Sequence, residues 1–241
     1  MGFLPKIAAA SALARQAGGK ELARQAQSGV WSSHVYFALW CDLENLPPRR
    51  SAAIPLSMTG RESATFNGFN DELTCALVGD RSQVLLRRLW SDAGIRELYV
   101  GDGPDGRPAY CQWLVRARDQ WPLQEYSPGR YPALKDDEVM VEGAYTFTAY
   151  RRKGAMADGM HQLLSIARSE EARAALTYVG EENVASLRGC AAVGFRPQHL
   201  TRSVRRLGVH QSYLLPISDA SQSRWDAATT SGGGARASGS G

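Results

Sequence analysis

Met156, Met160, Leu163, Leu164 and Ala167 recur at i, i+4, i+7, i+8 and i+11, the buried stripe of an amphipathic helix. β-rich runs border this stripe on both sides, 139–148 before it and 174–179 after it. A helix with one apolar face between two strands must lay that face on a sheet, which leaves few architectures open. Residues 54–58 alternate and read as a strand, and apolar residues at helical spacing within 62–92 predict one or two helices. Runs at 97–100 and 109–115 flank Gly101-Asp102-Gly103-Pro104-Asp105-Gly106, a hairpin signature. Residues 183–193 predict a helix with Asn183 as N-cap and Gly194 as its stop, followed by paired strands at 195–207 and 209–216. Gly143, inside its strand, marks a bulge or a close approach. The resulting order is β, helices, β, β, β, α, β, α, β, β. It describes an α/β chain with a mixed sheet and helices on its faces.

The organisation follows from composition. Residues 1–52 read as an N-terminal extension. It holds helical turns around the pentamer Leu-Ala-Arg-Gln-Ala at 13–17 and 22–26, and an extra strand is suggested by Trp31, Tyr36, Phe37 and Trp40. Residues 53–217 form the domain. Residues 218–241, rich in Gly and Ser, are expected to be a disordered tail, because they carry too little apolar surface to offset their ordering entropy. The segment 118–137, with Pro122, Pro128 and Pro132, is expected to be a long loop of the kind that serves as a lid or substrate wall.

Several function classes are excluded at this stage. The formal charge is +4, but residues 1–29 carry a net of +3 and 218–241 balance, so the remainder is nearly neutral and no nucleic-acid partner is expected. No apolar run approaches a membrane span, and Lys6 interrupts any signal-peptide pattern. Cys41, Cys75, Cys111 and Cys190 are scattered without metal-ligand spacing, which predicts neither a metal site nor disulfides and suits a cytoplasmic setting. The histidines, His34, His161, His199 and His210, are equally dispersed.

The informative stretch is 145–156, a strand running through a basic turn straight into the striped helix. The first turn of a helix offers free N–H groups and a partial positive charge, which attract phosphates. Gly154 would allow close approach, and Arg151, Arg152 and Lys153 add charge. The competing reading is an ordinary strand–helix turn with a solvated basic cluster.

Arg151-Arg152-Lys153-Gly154-Ala155-Met156 resembles the acetyl-CoA-binding motif Q/R-x-x-G-x-G/A of the GNAT superfamily of N-acetyltransferases. Asn183-Val184-Ala185-Ser186 followed by Gly194-Phe195 resembles its second signature, at the family's separation. The resemblance covers about 53–217. It implies a GNAT fold, with a central, mixed, mostly antiparallel twisted sheet and helices on both faces. It also implies acetyl, or another short acyl, transfer from acetyl-CoA to an amine substrate within a ternary complex. Backbone groups of Ala144 and Thr146 would pair with the pantetheine arm, the amides of Arg152, Lys153, Gly154, Ala155, Met156 and Ala157 would hold the pyrophosphate, and Asn183 would lie near the pantetheine. Glu138, Met140 and Glu142 share a strand face, and the family often places its general base there. Glu142 is the first choice and Glu138 the reserve, against the reading that both belong to a solvent-facing strand end. The acidic stretch 136–142 would suit a cationic amine. A homodimer is left open.

Three departures stand out. Met156 replaces the small last residue of the motif and would narrow the cradle. Cys190 stands where many relatives carry a Tyr that protonates the departing thiolate, so proton return would fall to water or to a nearby Tyr, with Tyr145 and Tyr178 as candidates. Tyr178 itself stands where some relatives carry a catalytic Glu. The first two favour an alternative, a GNAT-fold protein that binds acyl-CoA in a regulatory or scaffolding role with little catalysis.

Overall fold

The computed structural model describes residues 31–75, 78–127, 129–206 and 209–230. The repeated pentamers and the last eleven residues lie outside them.

One eight-stranded sheet organises the chain. The strands are β1 (Trp31–Asp42), β2 (Met58–Arg61), β3 (Leu98–Asp102), β4 (Pro108–Arg116), β5 (Glu138–Thr146), β6 (Ala174–Gly180), β7 (Arg196–Arg206) and β8 (Val209–Leu215). Their spatial order is β2-β3-β4-β5-β6-β1-β7-β8, and every neighbouring pair is antiparallel except β5 and β6. The helices are α1 (Gly68–Cys75), α2 (Val78–Asp92), α3 (Trp121–Tyr126), α4 (Ala155–Ser169), α5 (Val184–Ala192) and α6 (Asp219–Thr230).

The two-residue period of a strand places helices on both faces. Tyr110 of β4 meets Gly159 of α4, where an added Cβ would come within 2.4 Å of its ring. Trp113, three residues on and so on the opposite face, stacks against Phe69 of α1 and meets Trp90 of α2 edge-on. The predicted stripe of α4 is buried at Met160, Leu163, Leu164 and Ala167.

The structure corrects four expectations. Residues 31–42 are not part of an appendage: β1 lies between β6 and β7, with Tyr36–Asp42 paired to β6 and Trp31–Trp40 to β7. Phe37, Leu39 and Cys41, on one face of β1, are each at most 1% exposed, and Ala38 on the other face is buried as well. Residues 54–57 form no strand, and pairing begins only at Met58. The segment before it is instead tied to side chains of α4, with Ala52 N donating to Asp158 Oδ2 at 2.8 Å and Gln162 Nε2 donating to Leu56 O at 3.0 Å.

The tail is also different, because 219–230 is helical. Trp225 of α6 packs on Phe37 with ring centroids 6.0 Å apart, so one large aromatic anchors a stretch whose composition is otherwise polar. Finally, 118–137 is not one long loop, since it contains α3, which buries Leu123.

Candidate active site

The site begins at Gly143. Cys111 pairs with Tyr145 and Trp113 with Glu142, so Gly143 and Ala144 together oppose Gln112 alone. This is the expected bulge, and Gly143 takes φ +67, where a Cβ would lie 2.7 Å from the Trp113 ring. Arg87 of α2 fixes the bulge from above. Its Nε donates to Gly143 O at 2.9 Å and its Nη2 to Ala144 O at 2.6 Å.

β5 and β6 pair over only three residues, Glu138 with Ala174, Val139 with Ala175 and Met140 with Leu176. Beyond these the two parallel strands part, and 177–180 pair only with β1 on their other side. The result is a fork that opens toward the carboxyl ends of both strands. The N-terminus of α4 follows one arm and the N-terminus of α5 follows the other. Carboxyl ends of parallel strands beside helix N-termini are where α/β sheets bind ligands.

Glu142 sits at the base of the fork, buried. Its Oε1 accepts from Tyr178 N at 2.6 Å and from the Thr177 hydroxyl at 3.2 Å. Burial pushes its carboxyl above the ordinary range, against the opposing pull of Arg130 and of these donors. Glu138 is elsewhere, at the strand's start, and is paired with Lys135 at 3.0 Å. The acidic stretch therefore does not gather into one site. Asp136 and Asp137 are exposed, and Glu142 alone reaches the interior.

The turn before α4 has the geometry of an anion cradle. Arg152 and Gly154 both adopt left-handed backbone, φ +62 and +80, on either side of Lys153. The first bond into the helix runs from Asp158 N to Gly154 O, so the amides of Ala155, Met156 and Ala157 precede any intrahelical partner. Met156 does not narrow this cradle. Its side chain lies against α5, where its sulfur would be 2.9 Å from a Cβ placed on Gly189. Arg151 is committed to Asp80 at 2.7 Å and also donates to Thr146 O at 3.3 Å. The carbonyls of Ala144 and Thr146 thus each have an arginine partner already, and each keeps a second lone pair. Lys153 lies over the Tyr150 ring, its Nζ 5.2 Å from the centroid. Asn183 caps α5, accepting from Ser186 N at 3.1 Å.

Cys190 is completely buried, and burial drives its thiol far above its usual value. Tyr145 donates to Glu72 of α1 at 2.8 Å, and the same carboxylate oxygen accepts from Thr148 N and Oγ1. Tyr178 is half-buried at the fork. Its hydroxyl is pushed up by burial and then by Glu142, so it keeps its proton.

Sequence reasoning missed Glu72, Arg87 and Arg130, which support the turn, the bulge and the mouth of the fork. Nothing in the sequence set them apart, because Glu72 stands beside Asp71, Arg87 stands beside Arg88 in a charge-rich helix, and Arg130 lies in a Pro-rich segment. A further cavity of about 800 Å3 lies beside α4, walled by residues of 49–57 and the β3–β4 turn; it borders the turn before α4, where Ala53 N donates to Lys153 O at 2.8 Å, and lies outside the fork itself. Among the described residues no cluster of His, Cys, Asp and Glu could hold a metal ion, and no helix is long and apolar enough to cross a membrane.

No family model matches the sequence, and no curated protein does. Solved structures are similar in fold. One is a Drosophila protein, at 11% identity and TM-score 0.47, covering 78% of this chain and 56% of that one. Another is the GCN5-related glucosamine N-acetyltransferase region of a fungal multi-domain GH3 β-N-acetylglucosaminidase, at 11% and 0.49, covering 76% and 22%. A GNAT-family acetyltransferase from Colwellia psychrerythraea is similar at 12% and 0.47, covering 81% and 62%. The chain thus spans less than two thirds of each of these proteins. At such identities and TM-scores the likenesses say nothing of substrate or activity.

Proposed function

We propose that the chain is an acyl-CoA-dependent N-acyltransferase, moving an acetyl or other short acyl group to an amine. The observation that carries this reading is the fork. Two parallel strands separate after three pairs, at a bulge, beside a helix N-terminus with unpaired amides. An extended pantetheine arm could add to the free strand edge, while its pyrophosphate meets the amides of 152–157. Backbone donors fixed in place can also stabilise the oxyanion that forms at the thioester carbon.

In this scheme an ammonium acceptor enters at the mouth of the fork and gives one proton to Glu142, whose basicity is raised by burial. The free amine attacks the thioester, forming a C–N bond as the C–S bond breaks. Tyr178 supplies a proton to the departing thiolate and regains one from the acylated nitrogen, so free CoA leaves as the thiol, and Glu142 releases the proton it took to solvent as the products leave. The chain's own contribution is mainly positioning, because the thioester brings the activated acyl group.

The test is titration calorimetry with acetyl-CoA on the wild type and on Gly154→Glu, followed by CoA-release assays over an amine panel. Binding that is lost in the variant, with turnover in the wild type, supports the reading. No binding to the wild type overturns it. A second reading is supported by Cys190, a core thiol in the place of a proton donor. In that reading the protein binds acyl-CoA and turns it over poorly, and calorimetric binding without CoA release would favour it.

A further inference from the structure

Arg130 follows α3 and reaches over the same sheet face that carries Glu142. The Met140–Leu176 pairing puts 140, 142, 176 and 178 on one side of the sheet, and Tyr178 opposite Ala38 adds Tyr36 of β1 to that side. The Arg130 guanidinium lies 4.9 Å from the Tyr36 ring centroid and 5.2 Å from that of Tyr131. Tyr131 in turn meets Tyr178 edge-on at 5.5 Å. Four groups from three separate segments, 130–131, β1 and β6, therefore converge at the mouth of the fork beside Glu142 of β5.

Two features of this cluster are incomplete. The guanidinium has five N–H donors, yet it makes no hydrogen bond or ion pair to a described residue. Tyr131 is 7% exposed, and its hydroxyl is buried with no hydrogen-bond partner. Arg130 is half-exposed, so a ligand can reach its donors, while the buried Tyr131 hydroxyl is costly to leave unpaired; an anionic ligand here would meet both needs. Arg130 and Glu142 act on each other electrostatically but form no ion pair, so each charge remains available.

We infer that the acceptor is an amine that also carries a carboxylate, namely a free amino acid, with Arg130 and Tyr131 binding the carboxylate while Glu142 faces the ammonium. This rests on the acyl-transfer reading above and names its substrate class. A purely cationic amine would meet Arg130 as a like charge. A dipolar amino acid presents the opposite charge to each end of the pair, and a guanidinium can grip its carboxylate with two parallel hydrogen bonds.

The experiment compares the twenty standard L-amino acids with their methyl esters and with phosphoethanolamine. CoA release from acetyl-CoA is followed for the wild type, Arg130→Lys, Arg130→Gln and Tyr131→Phe. Amino-acid binding is measured separately by calorimetry without any acyl donor. The expected result is an amino acid favoured over its ester by about 100-fold or more in kcat/KM. In Arg130→Gln that amino acid should fall to the level of its ester, with Arg130→Lys between the two. Its donor-free binding should weaken in parallel, while circular dichroism shows each variant folded.

Equal rates for acids and esters, or a preference for phosphoethanolamine, would overturn the inference and leave acyl transfer standing. Amino-acid binding that depends on Arg130, without any acetyl-CoA turnover, would support the carboxylate site and remove the acyl-transfer reading instead. Amino-acid binding indifferent to Arg130 would overturn the inference whatever the turnover.

Discussion

The carboxylate of Glu142 accepts a hydrogen bond from the backbone N–H of Tyr178 at 2.6 Å, bridging β5 and β6 just past the point where their pairing ends. A side chain thus takes the place of the next rung of the ladder, and the fork begins on a titratable group. Because burial raises the folded-state pKa, folding stabilises the protonated form relative to the unfolded chain. Stability linked to this group is complete below the unfolded value, about 4.3, and is lost as pH rises through the folded one. Activity has the opposite sense, since the base works only when ionised. We expect kcat/KM to rise through a midpoint above the ordinary glutamate range. Glu142→Gln should flatten that limb, lower turnover about 100-fold or more, and be more stable than wild type at neutral pH. An unchanged pH–rate profile in Glu142→Gln would remove Glu142 from the mechanism.

Gly143→Ala tests the bulge. The left-handed backbone and the 2.7 Å approach to Trp113 together should cost roughly 2–4 kcal/mol, read from urea denaturation. A loss below about 1 kcal/mol would show that the strand can straighten there.

Cys190 and Tyr178 separate two routes for the thiolate's proton. Cys190→Ala should keep kcat within about threefold and cost about 1–2 kcal/mol for the small cavity it leaves. Tyr178→Phe should lower kcat about tenfold or more. The reverse pattern would return the role to the thiol.

Trp225→Ala should destabilise the whole protein by about 3 kcal/mol, because the indole is 8% exposed and packs on Phe37 of a central strand. If thermal melting of that variant matches wild type, α6 contributes nothing to the fold.

How much of this was legible in the sequence depended on range. The α4 stripe, the Gly143 bulge, the Asn183 cap and the two hairpins are short-period signals, and the structure has each of them. The place of β1 was not legible, because its partners lie more than a hundred residues away and alternation alone does not reveal a neighbour. Strand 54–58 was misread for a related reason. Its Leu56 carbonyl and Met58 amide are satisfied by Gln162 of a distant helix, and an extended, alternating segment looks the same in either case. At the site, the burial of Glu142 came from the register of three strands, and Arg130 became visible only when rings from β1 and the segment after α3 met around it.

The insertion of β1 also sets an order of events at the ribosome. β1 is synthesised first among the described strands, yet the strands it pairs with begin at Ala174 and Arg196. At ~5–20 residues per second the strand waits for roughly ten seconds, with an apolar face and two unpaired edges, before either partner emerges. The β7–β8 hairpin then joins the rest of the sheet only through that early segment. A nascent chain of this design has a long interval of exposure to sticking and to holdase chaperones, and the β7–β8 hairpin depends on β1 having stayed free.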